Sequence, residues 1–360
     1  MSNKTINISS YKGEYSVIFT SDFAKEIEKL DHEKTFIIID KRVSKLYEGQ
    51  LKDILAKFPY LEVEANEENK KLDKFTTYAE ALVEKKLRRD MTLLAIGGGI
   101  TQDITCFLSS TLFRGIDWKF IPTTLLAQAD SCIGSKSSIN VGDVKNLMGT
   151  FTPPRVIFLD TNFLKTLDHN DILSGIGEMI KVHVIDGFES MTSIKNCYEE
   201  ILNDQATMTK FIHASLLMKK KLIEIDEFDK GPRNVMNYGH TFGHAIEAAT
   251  NFGVPHGVAV TFGMEMANSF AFLEALIPEA IQTSYNEVMK KNQIDCTGIK
   301  FNFKKFISAI SKDKKNVGGK ITLILPTGEK AEIQKLRFEN NEKFQNFCLE
   351  YFQAKGFECS

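Results

Sequence analysis

MTLLAIGGG (91–99) is a short apolar run that ends on three glycines. Its length and composition suit a buried strand, and the residues after it, ITQD, open a helix-like segment containing Asp103. A strand running through a glycine turn into a helix is the start of a crossover unit in a parallel sheet. Gly98 and Gly99 have two readings here. They let the backbone approach a pyrophosphate at a helix N-terminus, or they make an ordinary tight turn, since the G-x-G-x-x-G form is absent.

The same alternation extends on both sides. TFIIID (35–40) reads as a buried strand closing on Asp40, an acid placed either to bind an adenosine ribose or to cap the next helix. LYEGQLKDILAKF (46–58) and TTYAEALVEKKLRRD (76–90) have helical spacing. WKFIPTT (118–124), which carries Thr123 and Thr124, and RVIFLD (155–160) read as further strands. Beyond residue 165 the pattern turns helical, in ILSGIGEMIKVHVI (172–185), TMTKFIHASLLMKKKLIEID (207–226), TFGHAIEAAT (241–250) and AVTFGMEMANSFAFLEALI (259–277). ITLILPTG (321–328) reads as a late strand and turn. The expectation is an α/β nucleotide-binding domain over 1–168 and a mainly α-helical domain over 169–360.

Bulk composition narrows the class. The 360 residues are 43% hydrophobic and 26% charged, which suits a globular protein of two domains. A formal net charge of -2 argues against nucleic acid or an anionic membrane as partner. No apolar run approaches the roughly 18 residues of a membrane span. The polar start MSNKTINISSYKGEYSV lacks an apolar signal core, so a cytoplasmic location is expected. Six scattered cysteines without a C-x-x-C pair read as reduced thiols.

Two groups of residues suggest chemistry. MNYGHTFGHAIE places His240 and His244 four apart, on one face of a helix, and His256 follows in VPHGVAV. With Glu178 in SGIGEMIK they make a donor set suited to Zn²⁺ with an open position. His32, His169, His183 and His213 lack such company and read as structural or solvated. The second group is cationic: Arg114, Lys136, Lys145, Lys181, Lys219 and Arg233 sit beside small or apolar residues. Converging, they would hold phosphate and carboxylate groups; singly, each is an ordinary solvated side chain. Glu67 and Lys70, in a polar stretch, read alone as surface charge.

The ordered motifs GGGITQD, LFRGI, IPTTLLAQADSCIGSK, VKNLMGTFTPP, SGIGEMIK, DEFDKGPRNVMNYGHTFGHAIE and PHGVAVTFGM, between about residues 95 and 265, resemble the 3-dehydroquinate synthase family of sugar-phosphate cyclases. The resemblance implies a Rossmann-like N-terminal domain, a helical metal- and substrate-binding C-terminal domain, and a homodimer. It implies catalytic NAD and a zinc or cobalt ion, and a heptulosonate phosphate that is oxidised, loses phosphate, is reduced again and closes by an aldol step. By motif, Glu178, His240 and His256 match the metal ligands and His244 a proton-managing histidine. Lys181, Asn237 and Asp130 match groups near the ring hydroxyls. Arg114, Lys136, Asn146 and one of Lys314 or Lys315 match phosphate contacts, with Arg114 reaching across the dimer. Lys219 and Arg233 match carboxylate contacts. Asp40, Glu67, Lys70, Gly98, Gly99, Asp103, Thr123, Thr124 and Lys145 match the NAD site.

Departures cluster near Lys136. The family's G-G-K-T-G is Gly134-Ser135-Lys136-Ser137-Ser138 here, and Val141–Val144 replaces H-P-L-G. Asn66 and Val258 stand where the family has glycine and glutamate. Cyclases whose substrates lack a carboxylate, such as 2-deoxy-scyllo-inosose synthase, tend to lose the Arg and Asn that stand here as Arg233 and Asn237. Their presence implies a carboxylate-bearing substrate, or an amino-sugar analogue of it. The alternatives are a related sugar-phosphate cyclase of the 2-deoxy-scyllo-inosose synthase or amino-dehydroquinate synthase kind, a metal-dependent polyol dehydrogenase of the same superfold, and a non-catalytic NAD-binding protein descended from the enzyme.

Overall fold

The computed structural model describes residues 4–142, 144–313, 316 and 318–360. Among the described residues, nine strands occupy the first half: β1 (Thr5–Ile8), β2 (Tyr15–Thr20), β3 (Thr35–Asp40), β4 (Tyr60–Val63), β5 (Thr92–Gly97), β6 (Trp118–Pro122), β7 (Lys136–Val141), β8 (Val144–Phe151) and β9 (Val156–Asp160). Seven form one sheet in the order β1-β2-β9-β6-β5-β3-β4. Only β1 pairs antiparallel within it. The mostly parallel sheet expected from the alternating pattern is therefore present. Its central strands are buried on both faces, which is why TFIIID and TLLAIG read as unbroken apolar runs. Phe23, Ile37, Ile39, Leu94, Ile96 and Phe163 pack on one side of it, in a cluster that continues to Phe58.

Two compact units divide the chain. One is Met1–Asp168 together with Lys219–Phe228; the other is His169–Met218 with Asp229–Ser360. Lys219–Phe228 lies inside the expected helical domain, yet its polar residues bind the first unit. Lys219 pairs with Asp130 at 2.5 Å, and the Glu227 carboxylate accepts from Ser10 Oγ at 2.6 Å and Tyr11 N at 2.9 Å. Nothing in the local pattern of KKKLIEIDEF announces these partners.

Several element boundaries differ from the sequence reading. The helix expected over 46–58 breaks at Tyr47 into Lys41–Leu46 and Glu48–Lys57. The helix expected to reach residue 90 ends at Glu84, and Lys86 follows at φ 65°. The strand from Trp118 stops at Pro122, so Thr123 and Thr124 begin the next turn. The β7–β8 hairpin has no counterpart in the sequence reading; β8 is largely exposed, with no apolar alternation to reveal it. Among the described residues, no helix is long and apolar enough to cross a membrane. All six cysteines are free thiols.

The second unit is mainly helical, and three of its helices matter most: His169–Asp186, His240–Ala249 and His256–Leu273. His183, on the first of these, is 2% exposed. Its Nδ1 shares a hydrogen bond of 2.8 Å with Ser190 Oγ, its ring lies 5.3 Å from Phe211, and Nε2 has no hydrogen-bond partner. Burial pushes its pKa down to about 4, against the opposing pull of Ser190 and Asp186. The unfolded chain, with an ordinary histidine value near 6.5, binds this proton more readily. Stability is therefore complete above that value and is lost as pH falls toward 4, by about 2 kcal/mol between pH 7 and 5. Urea midpoints at the two pH values should show a smaller gap for His183→Asn than for the parent; equal gaps would assign the acid sensitivity to other groups.

Candidate active site

Glycines bring the metal-ligand candidates together. The helices of Glu178 and His256 cross where Gly177 and Gly257 meet backbone to backbone. A Cβ on Gly177 would lie 2.1 Å from Gly257 O, and one on Gly257 would lie 1.8 Å from Ser174 O. Ser174 Oγ also accepts from Gly257 N at 2.9 Å, tying down the first turn of the His256 helix. At the second crossing a Cβ on Gly263 would lie 2.1 Å from Gly239 O. Gly239 itself has φ 77°, a left-handed conformation that leads directly into His240. Each close approach thus falls beside a candidate ligand.

The resulting cluster is compact. Glu178 Oε1 lies 3.4 Å from His256 Nε2 and 3.7 Å from His240 Nε2. Nitrogens of His240, His244 and His256 fall within 4.8 Å of one another. The His240 ring is 5.3 Å from that of His244 and 5.4 Å from that of His256. Lys181 Nζ forms a buried ion pair with Glu178 Oε2, one helical turn away. Burial holds His240 well below the ordinary imidazole value, helped by Lys181, His244 and His256, so it presents a neutral ring with a lone pair to donate. His256 behaves oppositely. Burial disfavours its charge, but hydrogen bonds to Glu178 and Glu247 outweigh that and raise it to about 10. Two carboxylates therefore favour positive charge at this spot. That field, with nitrogen and oxygen donors converging on it, fits a divalent cation such as Zn²⁺.

Near the cluster in sequence, Arg233 is buried in the short helical turn Pro232–Asn237. Asn237 ends that turn, its amide donating to Asn234 O at 3.1 Å.

The first unit holds the other candidates. Lys70 pairs with Asp103 at 2.7 Å, and Asp103 also accepts from Ser138 N at 3.0 Å. Burial raises the Asp103 carboxyl above its ordinary value, with Lys70 pulling the other way. Lys145 approaches Glu67 at 3.6 Å. Asn140, which the sequence reading did not single out, joins these residues: it donates to Glu67 at 2.8 Å and accepts from Asn146 N at 2.9 Å. Ser138 Oγ donates to Asn146 Oδ1 at 2.8 Å. So Glu67, Lys70, Asp103, Lys145 and Asn146 share one polar network, and the two charged residues that read alone as surface are part of it.

Gly98 is the N-cap of the helix Gly99–Thr111. A Cβ on Gly98 would meet Thr124 Cγ2 at 2.8 Å, while Gly99 faces open space apart from Ser131 Oγ at 3.8 Å. Thr123 N donates to Gly97 O, and Thr124 Oγ1 accepts from Ala127 N at 3.3 Å. Asp40 caps its helix by accepting from Arg42 N at 2.8 Å, the second of its two sequence readings. Lys136 and Arg114 are exposed, and Arg114 has φ 67°. Lys314 and Lys315 lie outside the described residues.

The departure at Ser135 has a local explanation. The residue has φ 64°, a conformation that suits the family's glycine better than serine. Its hydroxyl donates to Glu227 Oε1 at 2.5 Å, which offsets the backbone cost and ties the loop before Lys136 to the segment carrying Lys219.

Two family models match the chain. The 3-dehydroquinate synthase N-terminal model matches residues 60–174, and the C-terminal model matches residues 175–316. A 3-dehydroquinate synthase of Alkaliphilus metalliredigens is 35% identical over 308 residues, covering 84% of this chain and 86% of its own.

The chain belongs to the 3-dehydroquinate synthase family.

Its fold is that of the sugar-phosphate cyclases. A structure of ValA, a 2-epi-5-epi-valiolone synthase from Streptomyces hygroscopicus subsp. jinggangensis 5008 with NAD⁺ and Zn²⁺ bound, superposes with TM-score 0.83 at 22% identity. It covers 94% of this chain and 97% of the other. A 2-deoxy-scyllo-inosose synthase complexed with carbaglucose-6-phosphate, NAD⁺ and Co²⁺ superposes with TM-score 0.81, also at 22% identity, over 96% and 99% of the two chains.

Proposed function

We propose that this chain is a 3-dehydroquinate synthase that uses NAD and zinc or cobalt. It would convert 3-deoxy-D-arabino-heptulosonate 7-phosphate into 3-dehydroquinate and inorganic phosphate. The observation that carries the reading is the cluster of Glu178 with three imidazoles, built on glycine-packed helices in a chain of this family. The reaction is that of a phosphate-eliminating lyase, acting as a cytoplasmic homodimer in aromatic amino acid biosynthesis by the shikimate route.

Glu178, His240 and His256 would hold the metal, and the Gly98–Gly99 turn with the Glu67, Lys70, Asp103 and Lys145 network would receive the dinucleotide, with Asp40, Thr123 and Thr124 at its edges. The groups so held would supply a Lewis acid for the substrate alcohol and a reversible hydride acceptor. Lys136, Asn146, Arg114 and one of Lys314 or Lys315 would hold the phosphate, Arg114 reaching it across the dimer. Lys219 and Arg233, both buried, would hold the carboxylate by charge-assisted hydrogen bonds. Lys181, Asn237 and Asp130 would orient the ring hydroxyls. His244, exposed where His240 and His256 are partly buried, would exchange a proton as phosphate departs, work suited to an imidazole.

The test is turnover of purified protein with NAD, Zn²⁺ and the heptulosonate phosphate. Phosphate release without net NADH absorbance is the expected result, because oxidation and reduction cancel within each cycle. Steady NADH accumulation would assign a polyol dehydrogenase instead. Phosphate release only from a sugar phosphate without a carboxylate would assign one of the neighbouring cyclase activities.

A further inference from the structure

We infer that Glu247 is a positioning residue for the metal site, acting through His256. The inference rests on the ligand set proposed above and adds a residue to it. His240, His244 and Glu247 occupy positions i, i+4 and i+7 of one helix, so all three project from the same face. Glu247 Oε2 lies 3.1 Å from His256 Nδ1, while the other nitrogen of that ring, Nε2, faces Glu178 Oε1 at 3.4 Å. The imidazole is held at both ends, by one carboxylate on each side.

The chemistry follows from the two nitrogens. Nδ1–H donated to Glu247 leaves Nε2 as the nitrogen that can offer a lone pair, and it fixes the rotation of the ring about its Cβ–Cγ bond. Without that acceptor the ring can turn or change tautomer, and the His256 helix begins at this very residue, with no preceding turn to brace it. Glu247 is 14% exposed at its side chain, so water replaces it poorly as an acceptor. A carboxylate in this relation also makes the imidazole a stronger donor.

The experiment compares zinc affinity of metal-stripped full-length protein, by competition with a chromogenic chelator, for the parent, Glu247→Met and Glu247→Gln. Both replacements nearly match glutamate in length; only Gln keeps an acceptor for Nδ1–H. The expected result is a loss of roughly 10- to 100-fold in the Met variant, with most of it recovered in the Gln variant. The absorption spectrum of the Co²⁺-loaded proteins should shift in the Met variant and stay near the parent's in the Gln variant. Equal affinity in Met variant and parent overturns the inference, and so does a Gln variant as weak as the Met variant. A parent that takes up no zinc at all would instead overturn the ligand assignment on which this inference stands.

Discussion

His256→Ala is expected to strip tightly bound metal from the protein and to lower turnover by more than about a hundredfold, the upper range for losing only an outer carboxylate. The reason is the position of the ring between two acids. Removing it takes away one donor and withdraws the shared partner of Glu178 and Glu247 at 3.4 and 3.1 Å. Lys181 still pairs with Glu178, so the carboxylate is drawn toward a cation that is already there. Metal per chain after dialysis, measured by plasma emission, and kcat under saturating substrate check the result together. Unchanged values of both would remove His256 from the ligand set.

A second large effect is expected at a residue with no side chain. Gly257→Ala would place a Cβ 1.8 Å from Ser174 O, where real Cβ atoms essentially never come closer than 3.0 Å, so the two helices must separate by on the order of 1 Å. Backbone is the obstacle, and it cannot rotate aside as a flexible side chain would. The displaced elements carry Glu178 and His256 next to the contact. The expected cost is about 1–3 kcal/mol of stability. A displacement of this size also lowers kcat by roughly a hundredfold. Gly49→Ala is the matched control: that glycine is exposed, helical and has nothing within 4 Å of an added Cβ. It should gain up to about 1 kcal/mol from reduced backbone freedom in the unfolded chain. Urea denaturation and turnover of the two variants decide the matter; a Gly257→Ala protein matching the parent in both would mean the crossing is not what sets the site.

Some of this was open to reading from the chain alone. Runs such as TFIIID and TLLAIG have only one good use, as strands covered on both faces, and the helical spacing of SGIGEMIK and HTFGHAIE was equally plain. His240 and His244 fall on one face because the helix period requires it. Glu247 continues that face and was legible by the same rule, but a carboxylate on a helix reads as solvated until its partner is known. Asn140 offered less, being a single amide in a hairpin whose outer strand has no apolar alternation. The Asp40 side chain had two sound uses, and the structure shows one of them, the helix cap in which one carboxylate oxygen accepts from Arg42 N.

The sequence by itself determined the buried central strands and the main helices, where a Cβ is absent, and which donors the protein possesses, but not the β7–β8 hairpin. These follow from side-chain volume, periodicity and the absence of a Cβ, all properties of neighbours along the chain. Only the tertiary structure decided which donors meet: Glu178 with His256 across 78 positions, Ser135 with Glu227 across 92, Lys219 with Asp130 across 89. Local spacing cannot specify such pairs, because they are set by the packing of whole helices and the closure of long loops, where burial supplies the energy and hydrogen bonds select the register.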